Sequence, residues 1–218
     1  ILVAQAYSYQ AAGEVNQGID TFKRIVLQQP QNPNAYIRLA DAQVAAKDFP
    51  AAIESQRKAL ALQPEVSPIA AKLAKIYMLA GRPGDAIAES RKLQKSQPDK
   101  AAGFALEGEV LAAQAKWPEA AAAFQTALSK QPLPAVAVGT YVSLQRAGKT
   151  AEATAMANKW MKDYPKDPTV PLMLAQMGRG PQALAIAHEK VHGDDSDFMV
   201  YLFSDAGAPI RALPEFQA

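Results

Sequence analysis

The chain contains no cysteine. Disulfides, thiolate metal centres and cysteine nucleophiles are therefore excluded, while oxidising and reducing compartments both stay compatible. Histidine is scarce, with 2 in 218 residues, which leaves little material for imidazole chemistry. No run of about 18 apolar residues occurs, so no segment reads as a membrane-spanning helix. An excess of one charge is missing too: 23 Lys and Arg against 21 Asp and Glu give a net charge of +2. A dedicated nucleic-acid binder would show a basic face, so no nucleic acid is expected as a partner. What remains is 49% hydrophobic-class and 20% charged residues, the composition of a foldable chain. The start at Ile1-Leu2-Val3 and the end at Pro214-Glu215-Phe216-Gln217-Ala218 read as cuts within a longer protein. Any signal peptide or lipid anchor would lie outside them.

Proline supplies the strongest positive signal. Pro30, Pro64, Pro98 and Pro132 stand 34 residues apart, and Pro165 follows after 33. A fixed period of this size marks stacked helical hairpins, each burying its apolar face against its neighbours. Between Pro64 and Pro98 two helical patterns fit. The first covers about 67–80, with Ala70, Leu73, Ala74, Tyr77 and Met78 spaced by three and four. Gly81-Arg82-Pro83-Gly84 breaks it, and a second runs over about 85–97 on a stripe of Ala86, Ile87, Ser90 and Leu93. Pro98 closes the pair, because proline cannot continue a helix.

The same layout recurs. Gly18-Ile19, Ala52-Ile53, Ala86-Ile87 and Ala120-Ala121 share one phase; Phe22, Gln56 and Phe124 follow four residues later, and Ala59 and Ala127 a turn beyond. Small residues at these points let the two helices of a hairpin approach closely. Phe49-Pro50 and Trp117-Pro118 open second helices, where proline loses nothing by lacking an N–H. Phe49 and Trp117 are expected as core plugs at the hairpin turns.

These residues resemble the tetratricopeptide repeat. The matches run through Ala6, Tyr9, Gly13, Phe22 and Pro30; Tyr36, Leu39, Ala40, Ala52, Ala59 and Pro64; Leu73, Ala74, Tyr77, Gly81, Ala86 and Pro98; and Gly108, Ala120, Phe124, Ala127 and Pro132. The fifth unit keeps Ala153 and Pro165 but has lost a residue near Gly148-Lys149. The resemblance implies an all-α, right-handed superhelical solenoid. Residues 1–166 form its repeats, 167–193 a degenerate sixth, and 194–218 a cap or the start of another module. In that sixth unit helices are expected over about 169–177 and 182–192. The runs AAGFALEGE at 101–109 and WMKDYPKD at 160–167 are further similar to bacterial tetratricopeptide lipoproteins of exosortase/PEP-CTERM systems. That similarity implies a cell-envelope or periplasmic location rather than the cytoplasm, and a part in exopolysaccharide assembly or protein sorting.

One catalytic motif needs weighing. His188-Glu189-Lys190-Val191-His192 matches HExxH, in which two histidines a helical turn apart bind zinc and the glutamate acts as general base; Glu215 offers a downstream carboxylate. In the phase set by Ala183, however, Leu184, Ala187 and Val191 face inward, and His188, Glu189 and His192 face water. A solvated helix face is expected, with no metal and no catalysis. The alternatives are a metal-dependent hydrolase using this motif, or an inert spacer in a larger protein. Asp194, Asp195 and Asp197 read as a loop and helix cap.

In this architecture the first helices of successive hairpins line a concave groove. The resemblance places Tyr7, Arg38, Asp41, Lys72, Lys75, Glu109 and Arg146 in it as candidate partner contacts, with Val3, Gln10, Ile37, Val44, Met78, Ala105, Ala112 and Ser143 alongside. Some members of the family grip a C-terminal carboxylate with lysine and asparagine. Val3 and Tyr7, or Ile37 and Asp41, occupy those places here, which disfavours such a clamp. The expected function is non-catalytic binding of a protein or peptide partner, an extended segment or a helix, without a cofactor.

Overall fold

The computed structural model describes residues 1–167, 169–192, 202 and 208–213. Among these the regular structure is helical throughout, with no strand. The chain divides into two compact units, Ile1–Gln114 and Ala115–Ala218. The first holds α1 (Leu2–Ala11), α2 (Val15–Gln28), α3 (Pro33–Ala45), α4 (Phe49–Leu62), α5 (Ser67–Leu79), α6 (Pro83–Ser96) and α7 (Ala102–Ala113). The second holds α8 (Trp117–Lys130), α9 (Pro134–Arg146), α10 (Thr150–Asp163), α11 (Val170–Gln176), α12 (Gly180–His192) and the short α13 (Ala208–Arg211).

Each helix has local reasons for its limits. Asn32 caps α3 by accepting the Asn34 N–H at 3.0 Å, and Asp48 caps α4 by accepting that of Ala51 at 3.2 Å. Proline sits in the first turn of α3, α4, α5, α6, α8 and α9, where its fixed φ suits a helix start. This corrects one boundary: Ala80, Gly81 and Arg82 alone interrupt the third hairpin, since Pro83 and Gly84 already belong to α6. Likewise α12 starts at Gly180, and α11 is confined to Val170–Gln176.

The hairpin turns repeat one backbone device. Gly13, Gly81, Gly148 and Gly178 adopt positive φ, and so do Lys47 (φ 60°) and Ala115 (φ 57°). In the turn after α5, the Gly81 N–H donates to Met78 O at 3.0 Å and the Arg82 N–H to Tyr77 O at 2.8 Å. The second bond spans five residues and closes a Schellman-type C-cap. Lys47 and Asp48 reproduce both bonds, to Val44 O and Gln43 O. A left-handed residue is therefore required at this point whatever its side chain, and glycine adopts it most readily.

Consecutive helices pack in chain order within the first unit, and in the second α8 packs on α9, α9 on α10 and α11 on α12. In the first unit one cluster gathers Ala6, Ile19, Phe22, Ile25, Ala35, Leu39 and Ala42, and another Ala40, Ala52, Ile53, Leu73, Ala74, Tyr77, Ala86, Leu106 and Val110. Ala6, Ala40, Ala52, Ala74 and Ala86 are wholly buried, as close approach of helices demands. In the second unit Tyr141, Leu144, Trp160, Met173 and Ala183 form the corresponding core. Leu202 and Ile210 are buried with Leu172, Leu184 and Ala187, so α13 covers part of the last hairpin. The rest of the expected capping segment lies outside the described residues.

Phe49 and Trp117 are half-buried rather than enclosed, which corrects the expectation of core plugs. The aromatic slot filled by Phe22 and Phe124 is taken in α4 by Gln56, at 0% exposure. Its Nε2 donates to Ile69 O at 3.0 Å, while its Oε1 has no partner. Ile69 sits inside α5, where its carbonyl also has the helix's own i+4 donor. Gln56→Met keeps the volume and removes the stranded acceptor, so it is expected to raise stability by about 1 kcal/mol. A urea-denaturation midpoint at or below that of the parent chain would contradict this.

Candidate partner-binding face

The first helices of the first unit stand side by side. Lys72 on α5 reaches Asp41 on α3 with Nζ 2.6 Å from Oδ1, which ties two successive hairpins across the face expected to bind a partner. Both groups are partly exposed, so this pair contributes little to stability; it fixes which charge remains available. Lys72 is neutralised by its own neighbour, whereas Lys75, one turn on and exposed, forms no ion pair among the described residues.

Between α5 and α7 lies an open trough of about 540 Å³. Ala71, Lys72, Lys75 and Met78 form one wall; Leu106, Glu109, Val110 and Ala113 form the other. A smaller hollow of about 230 Å³ runs on from it between Ser67, Pro68, Leu93, Ala102 and Ala105, sharing Ala71, Leu106 and Glu109. Glu109 thus stands where the two join. The residue is exposed, yet the neighbouring apolar walls remove enough water to hold its carboxyl above the ordinary carboxylate range.

That shift has a stability consequence. A carboxyl whose pKa is higher folded than unfolded favours the fold when protonated, and the contribution is lost as pH rises through the folded pKa. Glu109→Gln is therefore expected to stabilise the chain at pH 7 and to lose this advantage towards pH 4. Thermal melts at the two pH values test it; an equal effect at both, or destabilisation at pH 7, would refute it.

The other expected contacts are placed unevenly. Tyr7 on α1 is 50% exposed and sets its ring edge-on to Phe22, centroids 5.4 Å apart. Arg38 is half-buried on α3. Arg146 belongs to the second unit, its guanidinium 6.0 Å from the Trp117 ring centroid, a cation–π distance. Ser143 is 1% exposed and offers no open contact, contrary to expectation, whereas Ala105, at 9%, helps line the smaller hollow. Leu106 and Val110 line the trough without being expected there; their signal in the sequence is the apolar three-and-four spacing beside Glu109.

On α12, Ala183, Leu184 and Ala187 are buried, while His188 and Glu189 are exposed. That is the orientation the repeat phase requires. The side chains of Val191 and His192, together with Glu215 and the Asp194–Asp195–Asp197 loop, lie outside the described residues.

Helices packed in order in the first unit, with an open mixed face along α3, α5 and α7, are the architecture of a helical-repeat interaction scaffold. Tetratricopeptide-repeat family profiles match residues 3–67 and 44–110, so residues 3–110 carry tetratricopeptide repeats. A thermophilic member from Thermus thermophilus shares 20% identity at a TM-score of 0.54, over 80% of this chain and 96% of that one. A tetratricopeptide-repeat protein from Parabacteroides merdae shares 17% at 0.56, over 88% and 78%. MamA from Desulfovibrio magneticus shares 14% at 0.54, over 76% and 95%. At these identities the likeness concerns the fold. No curated protein sequence matches the chain significantly.

Proposed function

We propose that this chain is a non-catalytic scaffold that holds an extended peptide or a partner helix against α3, α5 and α7. Tyr7, Arg38, Asp41, Lys72, Lys75 and Glu109 border the bound segment, and Arg146 offers a separate contact in the second unit. The observation that carries this reading is the α5–α7 trough, whose apolar floor lies between charged side chains, the usual make-up of a peptide-binding groove. An envelope role in polysaccharide assembly or protein sorting belongs to the same proposal, supported by the 101–109 and 160–167 runs; fractionation of cells producing the full-length protein tests it.

The binding reading is tested by capture from a lysate of the source cells, followed by affinity measurement on the purified partner. Met78→Asp places a charge on the trough floor and is expected to weaken binding by about tenfold or more, about 1.4 kcal/mol. A captured partner whose affinity is unchanged by Met78→Asp would place the contact elsewhere.

A further inference from the structure

The trough carries a pair of opposite charges that the protein does not use on itself. The carboxylate of Glu107, two residues before Glu109 on α7, is engaged by Arg91 Nε of α6 at 3.1 Å and by Gln94 Nε2 at 2.6 Å. Lys72 of α5 is engaged by Asp41. Glu109 and Lys75 face the same cavity from opposite walls, yet neither forms an ion pair among the described residues, with each other or with anything else. Glu109 is exposed as a residue, but its carboxylate borders two largely apolar hollows without a cation beside it, a less favourable setting than open water. Burial indeed holds its proton more tightly than water would. Such a residue is explained when the missing cation arrives with a ligand, because stability is commonly given up at functional positions.

The positions on each side constrain that ligand further. Towards Met78 and Val110 the larger hollow of about 540 Å³ falls in the range of pockets that take small ligands or a few side chains, about 300–1,000 Å³. Towards Leu93, Ala102 and Ala105 the smaller hollow is apolar. Lys75 stands on the wall of the larger one. Resting on the scaffold reading above, we propose that the occupant is a protein segment with a lysine or arginine between two apolar residues, followed on the Lys75 side by an acidic residue. The basic side chain meets Glu109, the apolar side chains fill the two hollows, and the acid meets Lys75. Opposed charges of this kind set the direction in which the segment lies and reject its charge-swapped counterpart.

The test uses the full 218-residue chain and four synthetic, fluorescently labelled peptides of one apolar framework. They carry the base and acid as specified, the two exchanged, base only, or neutral glutamine at both places. Anisotropy titration is expected to rank the specified peptide first. Glu109→Gln should weaken it by about fivefold or more and should not weaken the neutral peptide, in line with close charge pairs at interfaces. The double change Glu109→Lys with Lys75→Glu should transfer the preference to the exchanged peptide. Equal affinity for all four, absence of binding to any at millimolar concentration, or an unaltered ranking in the double variant would overturn the proposal. So would concentration-dependent self-association in sedimentation equilibrium that Glu109→Gln abolishes, since the occupant would then be a second copy of this chain. A lysate partner lost with Met78→Asp but retained with Glu109→Gln and Lys75→Gln would overturn the charge assignment alone and leave the scaffold reading standing.

Discussion

Phe22→Ala is expected to lower the unfolding free energy of the Ile1–Gln114 unit by about 3–5 kcal/mol, the range for deleting an enclosed aromatic ring. Phe22 is at 0% exposure among Ala6, Ile19, Ile25, Ala35, Leu39 and Ala42. Those neighbours are small or branched and sit on three different helices, so none can swing into the space left behind. The edge-on contact with Tyr7 is lost as well; such aromatic pairs add about 0.5–1.5 kcal/mol beyond burial. Because α1 depends on this cluster for its inward face, fraying should begin there. Hydrogen exchange should show amides of α1 and α2 opening before those of α5. A denaturation midpoint within error of the parent chain would mean that Phe22 is not a core residue.

Gly103→Leu is expected to cost about 3 kcal/mol, the upper end for overpacking, because its neighbour on α6 is main chain and cannot rotate away. A Cβ built on Gly103 would lie 2.7 Å from Gln94 N and 3.1 Å from Gln94 Cα. The close approach also lets Gln94 Nε2 donate to Gly103 O at 3.2 Å and to Glu107 Oε2 at 2.6 Å. Any side chain at 103 must push α6 and α7 apart, stretching both bonds and widening the neighbouring trough. Even Gly103→Ala should destabilise, although alanine is favoured over glycine in a helix interior by about 1 kcal/mol. Chemical denaturation of both variants decides the matter: a stabilised alanine variant would show that helix propensity outweighs the contact.

Much of the architecture could be read in the chain because repeat folds are specified locally. Each 34-residue unit repeats the same problem, two helices that must hide one stripe apiece, and the answer is written in three-and-four spacing. Hence Ala40, Ala52, Ala74 and Ala86 were legible as close-contact positions, and Pro50 and Pro118 as helix starts. The same reasoning oriented α12, with Leu184 and Ala187 inward and His188 and Glu189 outward. It did less well for side chains whose environment comes from another hairpin. Trp117 looked enclosed by analogy with large apolar residues elsewhere, yet it lies half-exposed near Arg146. Ser143 looked open from its repeat position, yet it is buried. Gln56 looked like a weak match to an aromatic slot; only packing shows that it fills the slot and bonds the next hairpin's backbone.

By itself, the sequence determined the period, the helical hairpins, the residues turned inward and the lack of material for thiol chemistry or a membrane-spanning helix. Spacing along a single helix settles such matters. The tertiary structure alone decided that Lys47 and Ala115 take the left-handed turn position, that Gly103 meets main chain, that Lys72 is claimed by Asp41, and that Lys75 and Glu109 are left facing an apolar trough. Those outcomes depend on distances between helices that belong to different stretches of the chain. Fractions of an ångström in packing decide them, and periodicity carries no record of that.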